Sequence, residues 1–153
     1  VIYMARDPRD VVVSYCHFSR LVNVIDFVGS TSDFVDHFVN DTLLYSPFWK
    51  HLKEAWNKRS HPNIHYYITE SQINDIVYYT SFQEMSKREN KKVIGSDVEV
   101  INSKILNKDG GFLRKGVTGD YKNKLSEEDI QKINEWTKEN TRDMDDEFKY
   151  KIK

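Results

Sequence analysis

The stretch VIYMARDPRDVVVS, residues 1–14, decides the fold. Its first five residues form an apolar run, which is typical of a buried strand in a parallel sheet. Asp7 and Pro8 then supply an N-cap and a proline for the first helical position, which predicts a helix from Pro8 to about Arg20. Because a strand, a tight turn and a helix in this order form half of a βαβ unit, we predict an α/β fold with a parallel sheet flanked by helices.

Arg6 and Ser14 stand where such a fold binds anions. Arg6 follows the first strand, at the sheet edge where open α/β sheets bind their ligands. Ser14 lies within the second turn of the helix, and its hydroxyl can donate to the same anion as Arg6, while the helix N-terminus adds a favourable dipole. A surface salt bridge from Arg6 to Asp7 or Asp10 is the alternative, and for an isolated arginine it is the commoner arrangement.

A second anion-binding pattern occupies residues 112–122, FLRKGVTGDYK. Arg114 and Lys115 are adjacent cations beside Gly116, and Gly119 follows three residues later. Glycine lets backbone N–H groups approach a ligand closely, and the two cations supply positive charge. The segment therefore predicts a local site for an anion such as a phosphate.

Two helices and a second strand are predicted between these two segments. The helical spacing of apolar residues over 34–39 predicts a helix that Thr31 or Ser32 caps. The Ser-Pro pair at 46–47 opens another helix, by the same combination of cap and proline. Residues 64–69 are rich in Tyr and Ile and predict a strand.

The remainder of the chain gives weaker signals. Residues 70–79 receive no clear assignment, residues 87–92 are predicted as a charged, solvated loop, and residues 93–111 as a long loop. Ser126 caps a final amphipathic helix, with an acidic residue in the reciprocal position of a capping box. The tail from 145 to 153 is polar.

Composition excludes several classes of protein. A chain of 153 residues with 39% hydrophobic and 31% charged residues suits one globular domain. Its net charge of −1 gives no overall attraction to nucleic acid or to an anionic membrane, so we predict neither partner. No apolar stretch approaches the roughly 20 residues of a membrane span. Cys16 is the only cysteine, which excludes an internal disulfide and favours a cytoplasmic location.

Both anion-binding segments resemble signatures of the cytosolic sulfotransferases. In that family a strand delivers Arg, then Asn or Asp, Pro, a basic residue and Asp, with a Ser eight positions after the Arg, which matches Arg6 and Ser14. The second signature is Arg-Lys-Gly-x-x-Gly-Asp-Trp-Lys, which residues 114–122 match except at Tyr121. The resemblance implies that the chain binds the 3′-phosphate of 3′-phosphoadenosine 5′-phosphosulfate, the sulfate donor, and that no metal is required.

The resemblance also implies which residues contact the donor. Residues 80–85, TSFQEM, resemble the family segment that touches the adenine and nearby groups, and residues 112–116 resemble the loop that wraps the nucleotide. The full set of implied donor-binding residues is Arg6, Ser14, Thr80, Ser81, Phe82, Met85, Phe112, Leu113, Arg114, Lys115 and Gly116.

At several positions the sequence departs from the family pattern. Thr69 stands at the position of a family Tyr that contacts adenine, and the stretch 71–79 is much shorter than its family counterpart, which implies an internal deletion. Leu113 replaces the usual Met, a change that conserves volume. The family's dimer motif is not recognisable in residues 91–100, so a homodimer stays an open expectation.

The catalytic groups of the family have no counterpart in this chain. The loop for the 5′-phosphosulfate and the catalytic Lys and His are expected upstream of Val1, where the chain opens in mid-strand, so no catalytic residue is assigned. We therefore expect residues 1–153 to be the C-terminal portion of one incomplete sulfotransferase domain with a partial P-loop-like fold, inactive by itself.

The implied reaction is transfer of a sulfuryl group to a hydroxyl or amine of a small acceptor, such as a phenol, an alcohol, a steroid-like molecule or an amine. A non-catalytic nucleotide-binding or interaction protein that lost the catalytic half is the main alternative. A nucleotide kinase is a further alternative, although the Walker loop that it needs is not found in these residues.

Overall fold

The structure is a computed structural model, in which the chain forms two compact units. The residues that it describes are 5–62, 70–93, 100–113, 116–148 and 150. The first unit comprises the segments 1–17, 28–64 and 118–153, and the second comprises 18–27 and 65–117. The described helices are α1 (Pro8–Leu21), α2 (Thr31–Val39), α3 (Phe48–Asn57), α4 (Glu70–Tyr79), α5 (Phe82–Val93), α6 (Ser103–Asp109) and α7 (Glu127–Asn140).

The parallel sheet stays a prediction. Apart from Ala5, the strands predicted at 1–5 and 64–69 lie outside the described residues. Within the described ranges no strand occurs, and one isolated antiparallel bridge joins Val22 to Ile101. Of the helices in those ranges, none has both the length and the apolar character that a membrane span needs.

α1 confirms the helix that the opening stretch predicts. It begins at Pro8 and ends at Leu21, one residue beyond the predicted end. Asp7 caps it as expected, because Asp7 Oδ1 accepts a hydrogen bond from the Arg9 backbone N–H at 2.9 Å. The apolar side of its first half is buried at Val12, which anchors the helix in the first unit.

The N-cap of α2 is Ser30, and the prediction of Thr31 or Ser32 is wrong. Ser30 Oγ accepts from the Asp33 N–H at 3.1 Å, and Asp33 Oδ2 accepts from the Ser30 N–H at 2.7 Å, which together form a capping box. Ser32 Oγ donates instead to Asp129 Oδ2 at 2.7 Å. Three successive hydroxyl residues can each cap a helix, and the position of Asp33 decides among them.

α3 begins one residue later than the Ser-Pro pair predicts. Pro47 is the N-cap, with extended backbone and no side-chain hydrogen bond, so Ser46 does not cap the helix. Asp41 Oδ1 accepts from the Phe48 N–H at 3.4 Å. A carboxylate from the preceding loop therefore takes the role that the sequence pattern gives to Ser46.

The core of the first unit forms between α2 and α7, which pack against each other. Phe34 and Val35 of α2 and Ile133 of α7 are fully buried there. A second buried cluster comprises Trp49, Leu52, Met144 and Phe148.

The prediction of a polar tail is wrong at Phe148. This residue is 4% exposed, and its ring centroid lies 5.1 Å from that of Trp56. The neighbouring Asp145 accepts from Trp56 Nε1 at 3.0 Å, which fixes the tail against α3. One aromatic side chain in a charged segment carries no periodic signal, which is why the sequence pattern misses it.

The second unit contains helices where the sequence predicts loops. Residues 87–92 belong to α5, so the prediction of a loop there is wrong, although Lys87 and Arg88 are exposed as expected for a solvated stretch. Lys87 Nζ donates to Glu84 Oε1 at 2.6 Å across one helical turn. The unassigned residues 70–79 form α4, which contacts α5.

α6 lies inside the predicted long loop at 93–111. Asn102 Oδ1 accepts from the N–H groups of Lys104 at 3.1 Å and Ile105 at 3.3 Å, which caps the helix. Gly110 ends it with φ +86°, in the left-handed region that glycine favours. Seven residues are too few to show a helical period, so the two caps are the only local signals.

Ser126 caps α7 as predicted, and Asp129 is the buried centre of this region. Ser126 Oγ accepts from the Asp129 N–H at 3.1 Å and donates to Asp129 Oδ2 at 2.8 Å. The same Oδ2 accepts from Ser32 Oγ, so one carboxylate oxygen links the start of α7 to α2.

Replacing Asp129 by alanine is expected to lower the free energy of unfolding by about 1–3 kcal/mol, because two hydroxyl groups lose their buried acceptor. Urea denaturation measures the change. Glu128→Ala is the matched control, since Glu128 lies on the same turn but is exposed. An equal loss in both variants would show that charge at the helix N-terminus, and not the buried bonds, stabilises the fold.

Candidate anion-binding site

Arg6 lies directly before α1 in the first unit and is accessible. Its guanidinium lies 4.0 Å from Asp10 Oδ2, one helical turn along the chain, and 43% of the Arg6 side chain is exposed. The salt bridge that the sequence offers as an alternative therefore exists. The Arg6 side chain is nevertheless partly accessible from solvent.

Ser14 is exposed on α1, eight residues after Arg6. Asp10 and Ser14 are neighbours on α1 because they lie four residues apart, and the Arg6 guanidinium, before the helix, lies 4.0 Å from Asp10 Oδ2. Arg6 and the first half of α1 thus offer a cation and a hydroxyl group near the positive end of the helix dipole. That combination suits a phosphate or a sulfate.

Asp10 joins the start of α1 to the end of the second predicted motif. It is 3% exposed, its Oδ2 accepts from the Gly119 N–H at 2.7 Å, and its Oδ1 accepts from the Tyr121 N–H at 3.4 Å. Gly119 has φ +84°, a conformation that glycine adopts at little cost. Residues 119–121, called here the 119–121 turn, are thus fixed to α1 by a buried carboxylate.

Arg9 makes a second link between the same two segments. Its guanidinium lies 4.5 Å from the centroid of the Tyr121 ring and donates to Asn134 Oδ1 at 3.3 Å. Tyr121 replaces the tryptophan of the family signature and keeps an aromatic face for this cation. The sequence pattern predicts no role for Arg9 and only a salt bridge with Arg6 for Asp10, although both residues lie inside the first signature.

Arg9 also holds the carboxylate of Asp7. Arg9 Nε donates to Asp7 Oδ1 at 2.9 Å and a terminal nitrogen donates to Asp7 Oδ2 at 2.6 Å. Burial acts to raise the pKa of Asp7, but the hydrogen bonds and the charge of Arg9 outweigh it, and the pKa is lowered. Asp7 is therefore ionised at neutral pH and fixes Arg9 beside the 119–121 turn.

The lowered pKa of Asp7 predicts a loss of stability in acid. Because the folded pKa lies below the unfolded value of about 3.9, the ionised pair stabilises the fold above that pH and the stabilisation is lost as Asp7 protonates. Urea denaturation between about pH 6 and about pH 3 is expected to show a smaller decline for Asp7→Asn than for the unmodified protein. The same decline in both proteins would contradict this assignment.

Seven of the predicted donor-binding residues that the structure describes belong to the second unit. Gly116 and Phe82 are in direct contact, because a Cβ at Gly116 would lie 2.4 Å from Phe82 Cδ2. Gly116 also has φ +64°, so both sterics and backbone conformation require glycine there. The described members of the set in this unit are Thr80, Ser81, Phe82, Met85, Phe112, Leu113 and Gly116.

Two hydroxyl groups of this set take part in helix ends. Thr80 Oγ1 donates to the carbonyl oxygen of Ile76 at 2.6 Å, and Ser81 Oγ accepts from the Glu84 N–H at 3.3 Å. Ser81 therefore caps α5 and sets the direction in which the helix leaves the 80–81 segment. Both hydroxyl groups therefore have a structural role that does not depend on a ligand.

The other members of the set differ in exposure. Phe112 is exposed, and its ring centroid lies 5.8 Å from that of Phe18. Met85 and Leu113 are half-buried. Residues 114–115, the two adjacent cations, lie outside the described residues, so their predicted role stays a prediction.

A pocket of about 280 Å³ opens beside Arg6 in the first unit. Its walls are mostly apolar and include Val11, Phe38, Phe48 and Leu52. The described part of this unit thus places an apolar surface next to a cation, an arrangement that suits a ligand with a ring and an acidic group.

These features describe an anion-binding site, and comparison with known proteins assigns the family. The model of the sulfotransferase domain family matches residues 1–68 and 65–145. The chain belongs to the sulfotransferase family, which confirms the resemblance inferred from the two signatures.

Among the relatives, luciferin sulfotransferase of Photinus pyralis is 28% identical, over 90% of this chain and 43% of its own length. The alignment runs over 167 positions, more than this chain has residues, so the relative carries segments without a counterpart here. The chain spans about half the length of the curated relatives that it matches.

Solved structures of similar fold include retinol dehydratase in complex with androsterone and the inactive cofactor PAP. It is 27% identical, with a TM-score of 0.74 over 94% of this chain and 47% of that one. Mouse sulfotransferase SULT7A1, complexed with PAP, has a TM-score of 0.70 over 93% of this chain and 58% of that one, at 19% identity. The second likeness supports the fold alone.

Proposed function

We propose that this chain binds 3′-phosphoadenosine 5′-phosphosulfate and supplies the 3′-phosphate and adenine side of the donor site of a sulfotransferase. The observation that carries the proposal is the partly exposed side chain of Arg6 directly before the N-cap of α1, within a segment that the family model matches. The PAP bound in the retinol dehydratase complex supports a donor of this class.

Each unit, taken by itself, offers groups that suit one part of such a nucleotide. Arg6 and Ser14 offer a permanent cation and a hydroxyl donor, which are the groups that bind phosphate oxygens in charge-assisted hydrogen bonds. In the second unit, Gly116 lies against the half-buried ring of Phe82, and an aromatic ring of this kind can stack on adenine. The family resemblance adds Arg114 and Lys115 as phosphate ligands.

The work of these residues is binding and not bond breaking. The donor supplies an activated sulfuryl group, which passes to a hydroxyl or amine of the acceptor. Arg6 and Ser14 would hold the donor at its 3′-phosphate, far from the sulfur atom, so they contribute affinity and selectivity for the donor. Sulfuryl transfer resembles phosphoryl transfer in depending mainly on positioning and electrostatics, and a fixed donor provides the positioning.

A small organic molecule is the acceptor class that we propose for the whole protein. The androsterone in the retinol dehydratase complex supports a small apolar acceptor of the steroid type. Catalysis by the protein that contains this chain is part of the same proposal. A cytoplasmic location and a homodimer stay predictions of the resemblance.

Isothermal titration calorimetry with two nucleotides tests the proposal. Adenosine 3′,5′-bisphosphate is expected to bind about 10- to 150-fold more tightly than adenosine 5′-monophosphate, because one to two charge-assisted bonds to the 3′-phosphate contribute about 1.5–3 kcal/mol. The monophosphate is the matched control, since it lacks only the 3′-phosphate. Equal affinities would refute a 3′-phosphate site.

A further inference from the structure

We propose that Asp10 is a positioning residue, which fixes Arg6 and the 119–121 turn relative to one another so that the 3′-phosphate of the donor can be bound. This inference rests on the proposed function and extends it to a residue that does not itself contact the nucleotide. Arg6, Asp10 and the 119–121 turn all belong to the first unit.

Both carboxylate oxygens of Asp10 are engaged. Oδ2 accepts from the Gly119 N–H at 2.7 Å and lies 4.0 Å from the Arg6 guanidinium, while Oδ1 accepts from the Tyr121 N–H at 3.4 Å. Asp10 is buried, so these partners replace the water that would otherwise solvate its charge. One side chain therefore ties two segments that are 109 residues apart in sequence to the same cation.

The negative charge of Asp10 is unfavourable for the binding of an anion at Arg6. A negative charge 4.0 Å from Arg6 reduces the attraction of that cation for any anion. Asp10 must therefore contribute to the site in another way. Its hydrogen bonds to the 119–121 turn and its contact with Arg6 hold these two parts of the site in position.

Asparagine at position 10 separates the two effects. The side chain keeps its size and one acceptor, but its NH₂ group would face a backbone N–H or the Arg6 guanidinium, neither of which accepts a hydrogen bond. Asp10→Asn thus removes the unfavourable charge and also loosens the turn and the arginine. A role limited to charge predicts tighter nucleotide binding in this variant, whereas a positioning role predicts weaker binding.

The experiment measures calorimetric affinities of adenosine 3′,5′-bisphosphate and adenosine 5′-monophosphate for the unmodified protein, Asp10→Asn and Asp143→Asn. We expect Asp10→Asn to lose about tenfold in affinity for the bisphosphate and much less for the monophosphate. Asp143→Asn is the control for the lost charge, because Asp143 lies in the same unit and pairs with Lys53 and not with the 119–121 turn. It is expected to leave the affinity for the bisphosphate within about twofold of that of the unmodified protein.

Amide hydrogen exchange supplies a readout that does not depend on the nucleotide. The amides of Gly119 and Tyr121 are expected to exchange faster in Asp10→Asn, while amides within α7 keep their protection. Unchanged exchange at the two amides would overturn the positioning role. If Asp10→Asn does not fold, Asp10→Glu keeps the charge and both acceptors but shifts them by one methylene, and an unaltered nucleotide preference in it would also overturn the role.

The proposed function and the role of Asp10 are contradicted by different results. Equal affinity of the unmodified protein for the two nucleotides would refute the proposed function, whatever Asp10 does. A clear preference for the bisphosphate that persists unchanged in Asp10→Asn would overturn the role of Asp10 alone, as would tighter binding in that variant.

Discussion

Replacing Arg6 by alanine is expected to weaken the binding of adenosine 3′,5′-bisphosphate by about 10- to 150-fold, which corresponds to about 1.5–3 kcal/mol for a hydrogen bond to a charged group. Arg6 lies directly before the N-cap of α1, and its guanidinium, on a partly exposed side chain, is the group proposed to bind the phosphate. Isothermal titration calorimetry measures the loss. The family resemblance predicts a loss of the same kind for Arg114→Ala.

The Arg6 variant needs a control for charge and for folding. Arg59→Ala removes one positive charge from the same unit, where Arg59 pairs with Asp145 at 3.1 Å, and is expected to leave nucleotide affinity within about twofold. Thermal melting of the Arg6 variant checks the fold, since its substitution leaves the buried Asp10 without this cation. Full affinity in Arg6→Ala would contradict the proposed contact.

Replacing Gly116 by alanine is expected to destabilise the second unit and to weaken nucleotide binding together. The added Cβ would lie 2.4 Å from Phe82 Cδ2 and 2.9 Å from Phe82 Cβ, so the ring or the loop must move. Overpacking of this kind costs about 1–3 kcal/mol. The positive φ of Gly116 adds a backbone penalty of about 1 kcal/mol.

Gly110 provides the matched control for this substitution. Its φ of +86° is also positive, but no atom lies within 4 Å of the Cβ that alanine would add. Gly110→Ala therefore reports a backbone penalty without a steric clash, and urea denaturation is expected to show a smaller loss than for Gly116→Ala. Equal losses for the two variants would mean that the contact with Phe82 carries no energy.

The sequence predicts the elements that have clear local signals at their ends. Pro8 and Asp7 mark the start of α1, and Ser126 marks the start of α7, and both helices occur where expected. α6 is too short to give a periodic pattern, and the cap of α2 is ambiguous because adjacent hydroxyl residues can each cap a helix. The burial of Phe148 depends on the position of Trp56, which is distant in sequence.

The candidate site, too, is predictable from sequence only where the signal is local. The residue types at Arg6 and Gly116 are predictable because each lies in a motif whose chemistry is local. The bond from Asp10 to Gly119 and the contact of Gly116 with Phe82 join residues that are far apart in the chain. Such contacts follow from tertiary packing, so no pattern within a window of sequence reveals them.

The most direct test of the central claim combines the Arg6→Ala variant with the two nucleotides in one thermodynamic cycle. If Arg6 contacts the 3′-phosphate, the substitution weakens binding of adenosine 3′,5′-bisphosphate strongly and of adenosine 5′-monophosphate little, with a coupling free energy of about 1.5–3 kcal/mol. An equal loss of affinity for both nucleotides would contradict the account, because Arg6 would then act on the fold or on another part of the nucleotide.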